Sequence, residues 1–410
     1  MPRRLNSLAV RRHDGGGTGV VKTLANSILG DYGTTVFTVM SALAAEHGAI
    51  NLGQGFPDRD GPEDIRAKAA EAIIEGPNQY PPMMGLPELR QAVAEHNKRF
   101  HGLDVDWRRE VMITSGATEA LADCFLGLIE PGDEVVLIEP LYDCYLPMVR
   151  RAGGVPKLVR IEPPDWRLPR AGLEAAFSRR TKLIVLNSPH NPAGKVFSEE
   201  DLSFIAGLVR RFDAYAVCDE VYEHLIFDRR RHVPLMVLPG MRDRALRIGS
   251  AGKTFSVTGW KVGYVTAAAE LLTPVAKAHQ FVTFATPPNL QKAAAYGLRR
   301  EDAYFEGLAA VLQSKRDRLR GGLAAAGFKV LPCEGTYFLI ADFRPTGFNG
   351  DDDAFCRHIT IEAGVTAVPV SAFYQNADAG HFARFCFCKD DGILDEAIDR
   401  LQRHFGGAGA

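Results

Sequence analysis

Between residues 111 and 266 short apolar runs alternate with helical patterns, and this alternation restricts the fold more than any other feature of the chain. The runs lie at 111–114, 135–138, 155–159, 183–187, 215–219, 246–249 and 262–266, each four or five residues long and rich in Val, Ile, Leu or Ala. Between most of them apolar residues recur at helical spacing, over 118–129, 142–152 and 199–212. Strands alternating with helices predict an α/β fold with a mostly parallel, seven-stranded sheet in one large domain. Ahead of the sheet, 62–76 predicts an amphipathic helix with Ile65, Ala69, Ala72 and Ile73 on one face. A second helix is predicted over 87–100, opened by Pro87.

The pattern changes after Ala269. Helical periodicity runs almost to Gly327, and 301–326 is long and charged enough to bridge two domains. Strands are then expected at 328–331, 337–341, 365–368 and 384–388, with helices at 352–362 and 394–404. That is a smaller α+β domain. The expected division is a tail over 1–25, an arm over 26–61 packing with the small domain, a large domain over 62–300, a linking helix over 301–326 and a small domain over 327–410.

A net charge of -2 points to no nucleic-acid surface and no acidic lipid partner. No run of about 18 apolar residues exists, so no membrane span is expected. The N-terminus carries Arg3, Arg4, Arg11 and Arg12 without an apolar core, and reads as a mobile basic tail rather than a secretory signal. Seven cysteines are scattered; Cys386-Phe387-Cys388 has neither redox nor zinc spacing, and a strand would place both thiols on one buried face. A reducing cytoplasm is the expected location, and no metal is expected.

Chemistry concentrates in a few segments. Lys253 has small neighbours, Ser250 three residues before it and Lys261 eight after it. A cofactor aldehyde needs a lysine amine, and a cofactor phosphate needs hydroxyls, N–H groups and a cation. A solvated loop lysine is the competing reading. Ser115-Gly116-Ala117-Thr118-Glu119-Ala120 follows a strand and opens a helix, which suits an anion or simple capping by Ser115 or Thr118. Asn187 to Gly194 ends a strand in an Asn-Pro turn. Asp219, in Asp219-Glu220-Val221-Tyr222, closes a strand where a ligand crevice would lie, although it could also cap a helix. Arg384 is a charge inside an apolar strand, and such a charge needs a partner.

Together these segments closely resemble the class I/II aminotransferases, fold-type I enzymes that use pyridoxal 5′-phosphate. The nearest look is to the branch acting on kynurenine, glutamine and methionine, through Asn51 to Asp58, Glu139 to Tyr145, Ser250 to Gly263 and Cys333 to Phe338. The resemblance runs from about Ala25 to Arg403. It implies that Lys253 forms the Schiff base and then shuttles a proton. It implies that Asp219 pairs with the pyridinium nitrogen, that Asn191 and Tyr222 donate to O3′, and that Tyr142 stacks on the ring. Gly116, Ala117, Thr118, Ser250 and Lys261 would grip the phosphate, with Lys261 standing where many relatives have Arg. Arg384, with Asn191 and the Gly55 N–H, would hold the substrate α-carboxylate. Tyr80 would reach the phosphate of a neighbouring subunit, which implies a homodimer. Phe37 and His279 would flank the substrate side chain. No arginine occurs between Lys261 and Leu298, where aspartate-specific relatives supply a second one, so neutral bulky donors are expected. A cysteine-S-conjugate β-lyase or a succinyldiaminopimelate-type aminotransferase would use the same residues. A non-catalytic regulator is disfavoured by the intact Lys253 and by the roughly 25 residues ahead of the fold, too few for a DNA-binding module.

Overall fold

The computed structural model describes residues 26–376 and 380–406, so the basic tail expected over 1–25 lies outside the described residues. Seven strands form the large sheet: β1 Val111–Thr114, β2 Glu134–Glu139, β3 Val155–Arg160, β4 Thr181–Asn187, β5 Tyr215–Asp219, β6 Ala245–Ser250 and β7 Gly263–Thr266. Their order across the sheet is β1-β7-β6-β5-β4-β2-β3. Strands β3, β2, β4, β5 and β6 pair in parallel, and β7 runs antiparallel to β6 and β1. The sheet is therefore mostly parallel, as the alternating pattern requires.

The apolar runs lack alternation because both faces of the sheet are covered. Val136, Ile138, Ile184 and Leu186 enter one core with Leu202, Ile205 and Val209 of the Glu199–Arg211 helix. Val135, Leu137, Leu183 and Val185 enter the opposite core with Leu121 and Phe125 of helix α1, Ala117–Leu128. Helix α2, Ala269–Val282, packs on α1 and adds Leu272 and Val275 to that core.

A second group of elements surrounds a four-stranded antiparallel sheet. Its strands are β8 Lys329–Val330, β9 Phe338–Asp342, β10 Val368–Pro369 and β11 Phe382–Cys386, in the order β10-β11-β9-β8. The long helix Asp302–Ala325 packs on the last helix, Asp391–Phe405. Met40 and Leu52 enter this core from the N-terminal segment. Cys386 and Cys388 are both buried free thiols with their Sγ atoms 3.1 Å apart, so they do face one way.

Two expected elements differ. The helix expected over 142–152 begins only at Tyr145, because Leu141 N–H is drawn to the Phe373 carbonyl and the Tyr142 ring turns into a cavity. The strand expected over 365–368 is two strands in two sheets. Val365–Thr366 pairs in parallel with Ile50–Asn51, whereas Val368–Pro369 pairs with β11. Among the described residues no helix is long and apolar enough to cross a membrane.

Candidate active site

A parallel sheet brings the carboxyl ends of its strands to one edge, and loops leaving that edge form a crevice. A cavity lies there. Gly116, Ala117 and Thr118 follow β1, Tyr142 follows β2, Asn187 ends β4, Asp219 ends β5 and Ser250 ends β6. Lys253 sits in the single helical turn Ala251–Thr254 just beyond Ser250, and Tyr222, Asn191 and Lys261 complete the wall. Sequence positions spread over about 150 residues thus meet at one place because every one of them follows or ends a strand or its loop.

The cradle at the mouth of β1 is built by close backbone approach. Gly116 has φ +83°, the left-handed region that favours glycine, and it precedes the first residue of α1. A Cβ there would lie 3.3 Å from Lys261 Nζ, so the glycine lets the lysine ammonium lie over the helix N-terminus. A Cβ on Gly263 would lie 2.6 Å from the carbonyl carbon of Gly116, which fixes β7 against the same turn. Free N–H groups, the helix dipole, two hydroxyls and an ammonium converge there, a set suited to an oxyanion.

Deeper in the cavity the charges are desolvated. Asp219 is buried, which raises its pKa; the Tyr145 hydroxyl donates to Asp219 Oδ2 at 2.5 Å and, with Lys253 nearby, works the other way. Lys253 is buried too, and burial lowers its pKa toward the neutral amine that a nucleophile needs. Its Nζ donates to the Tyr337 hydroxyl at 2.8 Å, and that hydroxyl donates to the Gly55 carbonyl at 2.7 Å. Tyr222 and Tyr337 cross edge-to-face at 5.3 Å, and burial holds both phenols protonated, as donors.

Arg384 stands behind Asn191 rather than on the cavity wall. The guanidinium is fully buried, which lowers its pKa to about 10. One terminal nitrogen donates to Asn191 Oδ1 at 3.0 Å and the other to the Gly53 carbonyl at 2.9 Å, while Nε has no partner. Among the described residues no carboxylate pairs with it. The rings of Phe338, Phe37 and Phe373 surround it at 3.9, 5.0 and 5.0 Å. A buried guanidinium with one unpaired donor has the chemistry to accept a carboxylate. Gly55 adjoins it, held so close to Phe338 that a Cβ would lie 2.6 Å from the ring.

Tyr80 and His279 do not line this cavity, and for Tyr80 the expected place is the phosphate of a neighbouring subunit. Tyr80 is 86% exposed and packs edge-on against Phe284, outside the cavity of its own chain. Phe281, on the same helix as His279, is 83% exposed. His279 does not reach the cavity: it is 0% exposed and lies between Glu119 and the Met83 carbonyl. Its helix packs on α1, and its ring meets Glu119 in the first turn of α1.

Sequence reading also missed functional side chains. Tyr145 stands three residues after Tyr142, and its bond to Asp219 spans 74 positions, so nothing local distinguishes it. Tyr337 was visible in the Cys333 to Phe338 segment, but its bond to Lys253 spans 84 positions and leaves no local sign.

A family model described as aminotransferase class I and II matches residues 47–401. The chain is similar to methionine aminotransferase of Escherichia coli, 39% identical over 380 residues, covering 93% of this chain and 98% of that protein. It is also similar to kynurenine–oxoglutarate transaminase of Dictyostelium discoideum, 37% identical over 408 residues, covering 90% and 94%. The solved structure of N-succinyldiaminopimelate aminotransferase from Mycobacterium tuberculosis matches with a TM-score of 0.90 and 46% identity, over 92% of this chain and 99% of that one.

Two variants examine the site. Lys253→Ala should reduce transamination to background, and borohydride should no longer fix the cofactor to the chain; near-normal turnover would exclude Lys253 as the nucleophile. Tyr145→Phe removes the bond that holds the Asp219 pKa down. The pKa then rises, and the carboxylate is lost at higher pH as the solution is acidified. The acid limb of the kcat/KM profile should move upward in pH, with a loss of about ten- to hundredfold, the worth of one hydrogen bond to a charged group. An unmoved limb would show that Tyr145 does not tune Asp219.

Proposed function

The chain belongs to the class I and II aminotransferases, and from its site we propose that it moves the amino group of a neutral, bulky L-amino acid, sulfur-containing, aromatic or glutamine-like, to a 2-oxo acid. Family members use pyridoxal 5′-phosphate, and the residues present fit it. The cradle at Gly116 has room for an oxyanion but none for a Cβ without crowding Lys261, and the buried Asp219 carboxylate offers a cationic ring nitrogen its counter-charge. When bound, the cofactor supplies an aldehyde for the lysine amine and a ring that accepts electrons from the substrate α-carbon.

The protein supplies the remainder. Ser250, Thr118, Lys261 and the α1 N-terminus hold the phosphate end. Asp219, whose burial-raised pKa the Tyr145 bond opposes, would hold a proton at the ring nitrogen. Asn191 and Tyr222 present donors to the ring oxygen, and Tyr142 covers a ring face. Lys253 Nζ, whose pKa is lowered by burial, would take the α-proton and deliver it to the cofactor's former aldehyde carbon. Arg384 orients the donor through its α-carboxylate, and its position fixes which bond at the α-carbon breaks.

The single observation carrying the substrate class is the setting of Arg384. Its guanidinium is enclosed by three phenyl rings, and the only cations among the described residues that line the cavity in front of it are Lys253 and Lys261. A donor with an apolar or neutral side chain suits that enclosure, and an acidic side chain finds no guanidinium of its own. Apolar pockets discriminate weakly, by about 1–3 kcal/mol per methylene, so several donors should react. A second reading, N-succinyldiaminopimelate as donor, is favoured by the similarity to the mycobacterial enzyme.

Comparing kcat/KM for methionine, phenylalanine, aspartate and N-succinyldiaminopimelate tests the proposal. Methionine or phenylalanine should exceed aspartate by more than about tenfold, ~1.4 kcal/mol. Aspartate ahead by that factor would mean that another cation serves its side chain, and the succinylated donor ahead would replace the first reading by the second. Pyruvate and ammonia from a cysteine S-conjugate as the faster reaction would mark a β-lyase.

The working unit on this reading is a homodimer. Tyr80 and Phe284 pack edge-on in an exposed aromatic pair, the kind of surface that a partner covers. Light scattering should give about twice the chain mass of 44.8 kDa. A fully active monomer would refute it.

A further inference from the structure

His279 has a role that its burial away from the cavity reveals. Its Nδ1 lies 2.8 Å from Glu119 Oε1, and its Nε2 lies 3.0 Å from the Met83 carbonyl oxygen. A carboxylate oxygen and a peptide carbonyl are acceptors only, so both ring nitrogens must donate. A neutral imidazole has one N–H; His279 is therefore the imidazolium. The second carboxylate facing it, Asp123, lies 3.6 Å from Nδ1 and is itself fully buried, with neither oxygen hydrogen-bonded. Burial alone would lower the His279 pKa, but the nearby carboxylates of Asp123 and Glu119 outweigh it and lift it to about 9. Burial raises the Asp123 pKa to about 6. Burial acts upward on Glu119 as well, yet His279, Thr283 and the Ser115 N–H bring it below its usual value.

The position of Glu119 shows what the charge does. Glu119 is in the first turn of α1, and its Oε2 accepts the N–H of Ser115, immediately before Gly116. The carboxylate thus clamps the turn that forms the cradle. An uncompensated carboxylate there would also oppose the partial positive charge of the helix N-terminus and repel a phosphate. We infer that His279 is a positioning residue for the cofactor phosphate: its imidazolium neutralises Glu119, so that Glu119 can brace the Ser115 to Thr118 turn without repelling the anion held there. The same ring ties that turn to the Met83 carbonyl, on the segment that carries Tyr80.

This inference rests on the reading that Gly116, Thr118 and Lys261 hold the phosphate. The measurement is the rate at which the holoenzyme loses cofactor on dilution, followed by absorbance, for wild type, His279→Gln, Glu119→Gln, the double variant and Lys261→Ala. Glutamine keeps a donor at 279 and an acceptor at 119 while removing each charge. His279→Gln should lose cofactor about tenfold faster, an effect of one uncompensated charge near the anion. Adding Glu119→Gln should restore retention to within about threefold of wild type, a non-additivity that a packing role would not produce. With cofactor in excess, the KM for the amino donor should stay unchanged in His279→Gln. Wild-type retention in His279→Gln, or a double variant as leaky as the single one, would overturn the inference. Lys261→Ala separates the two levels. If it retains cofactor normally, the cradle reading fails; if it leaks while His279→Gln does not, only the role of His279 fails.

Discussion

A carboxylate, an amine and a guanidinium buried within one region cannot be left to solvent, and the rest of the structure answers that constraint. Desolvation disfavours the charged form of each group, by far more than the few kcal/mol that hold a fold together unless partners compensate. Asp219 has Tyr145 and the charge of Lys253; Lys253 has the Tyr337 hydroxyl; Arg384 has Asn191 and a peptide carbonyl. What remains open after these contacts is the Nε of Arg384 and the cradle at Gly116. Those openings have the polarity of an α-carboxylate and a phosphate.

The partners come from both groups of elements. Asp219, Asn191 and Lys253 belong to the ends of the large sheet, whereas Tyr337 and Arg384 belong to or border the four-stranded sheet, and Gly53, Gly55 and Phe37 come from the N-terminal segment. The chain Lys253–Tyr337–Gly55 and the chain Asn191–Arg384–Gly53 each cross all three. Site geometry is thus tied to how these parts pack, and a change in that packing would alter the charges as well as the distances. The flank of α1 adds another layer, because Glu119 and His279 set the electrostatics of a turn whose opposite side faces the cavity.

Much of this was legible locally. The seven apolar runs correspond to the seven strands of one sheet, since a run buried on both faces has a sequence signature that no surface loop imitates. Boundaries slipped where a backbone group left its own element for another. The Phe373 carbonyl took the N–H of Leu141, and Val365 to Pro369 divided between two partners. Segments with small residues and a functional group at a strand end, such as Ser115 to Thr118, Asn187 to Asn191 and Ser250 to Lys253, were readable because loop chemistry is local.

His279 and Phe281 mark the limit. Their helical segment follows the Lys253 segment and holds no arginine, and the family resemblance placed His279 beside the substrate side chain. Helix phase decides otherwise: at about 100° per residue, His279 points onto α1 and Phe281 points outward. Which face of α2 meets α1 follows from packing of two helices on a sheet, a property of contacts between residues about 160 positions apart. The pairing of Lys253 with Tyr337 and of Asn191 with Arg384 has the same origin. The sequence by itself determined the order of strands and helices and the residue types at strand ends, because both arise from interactions within a few residues. Only the tertiary structure decided which of those residues share a cavity and which buried charges neutralise one another, because those depend on burial and on distances that the chain closes over hundreds of residues.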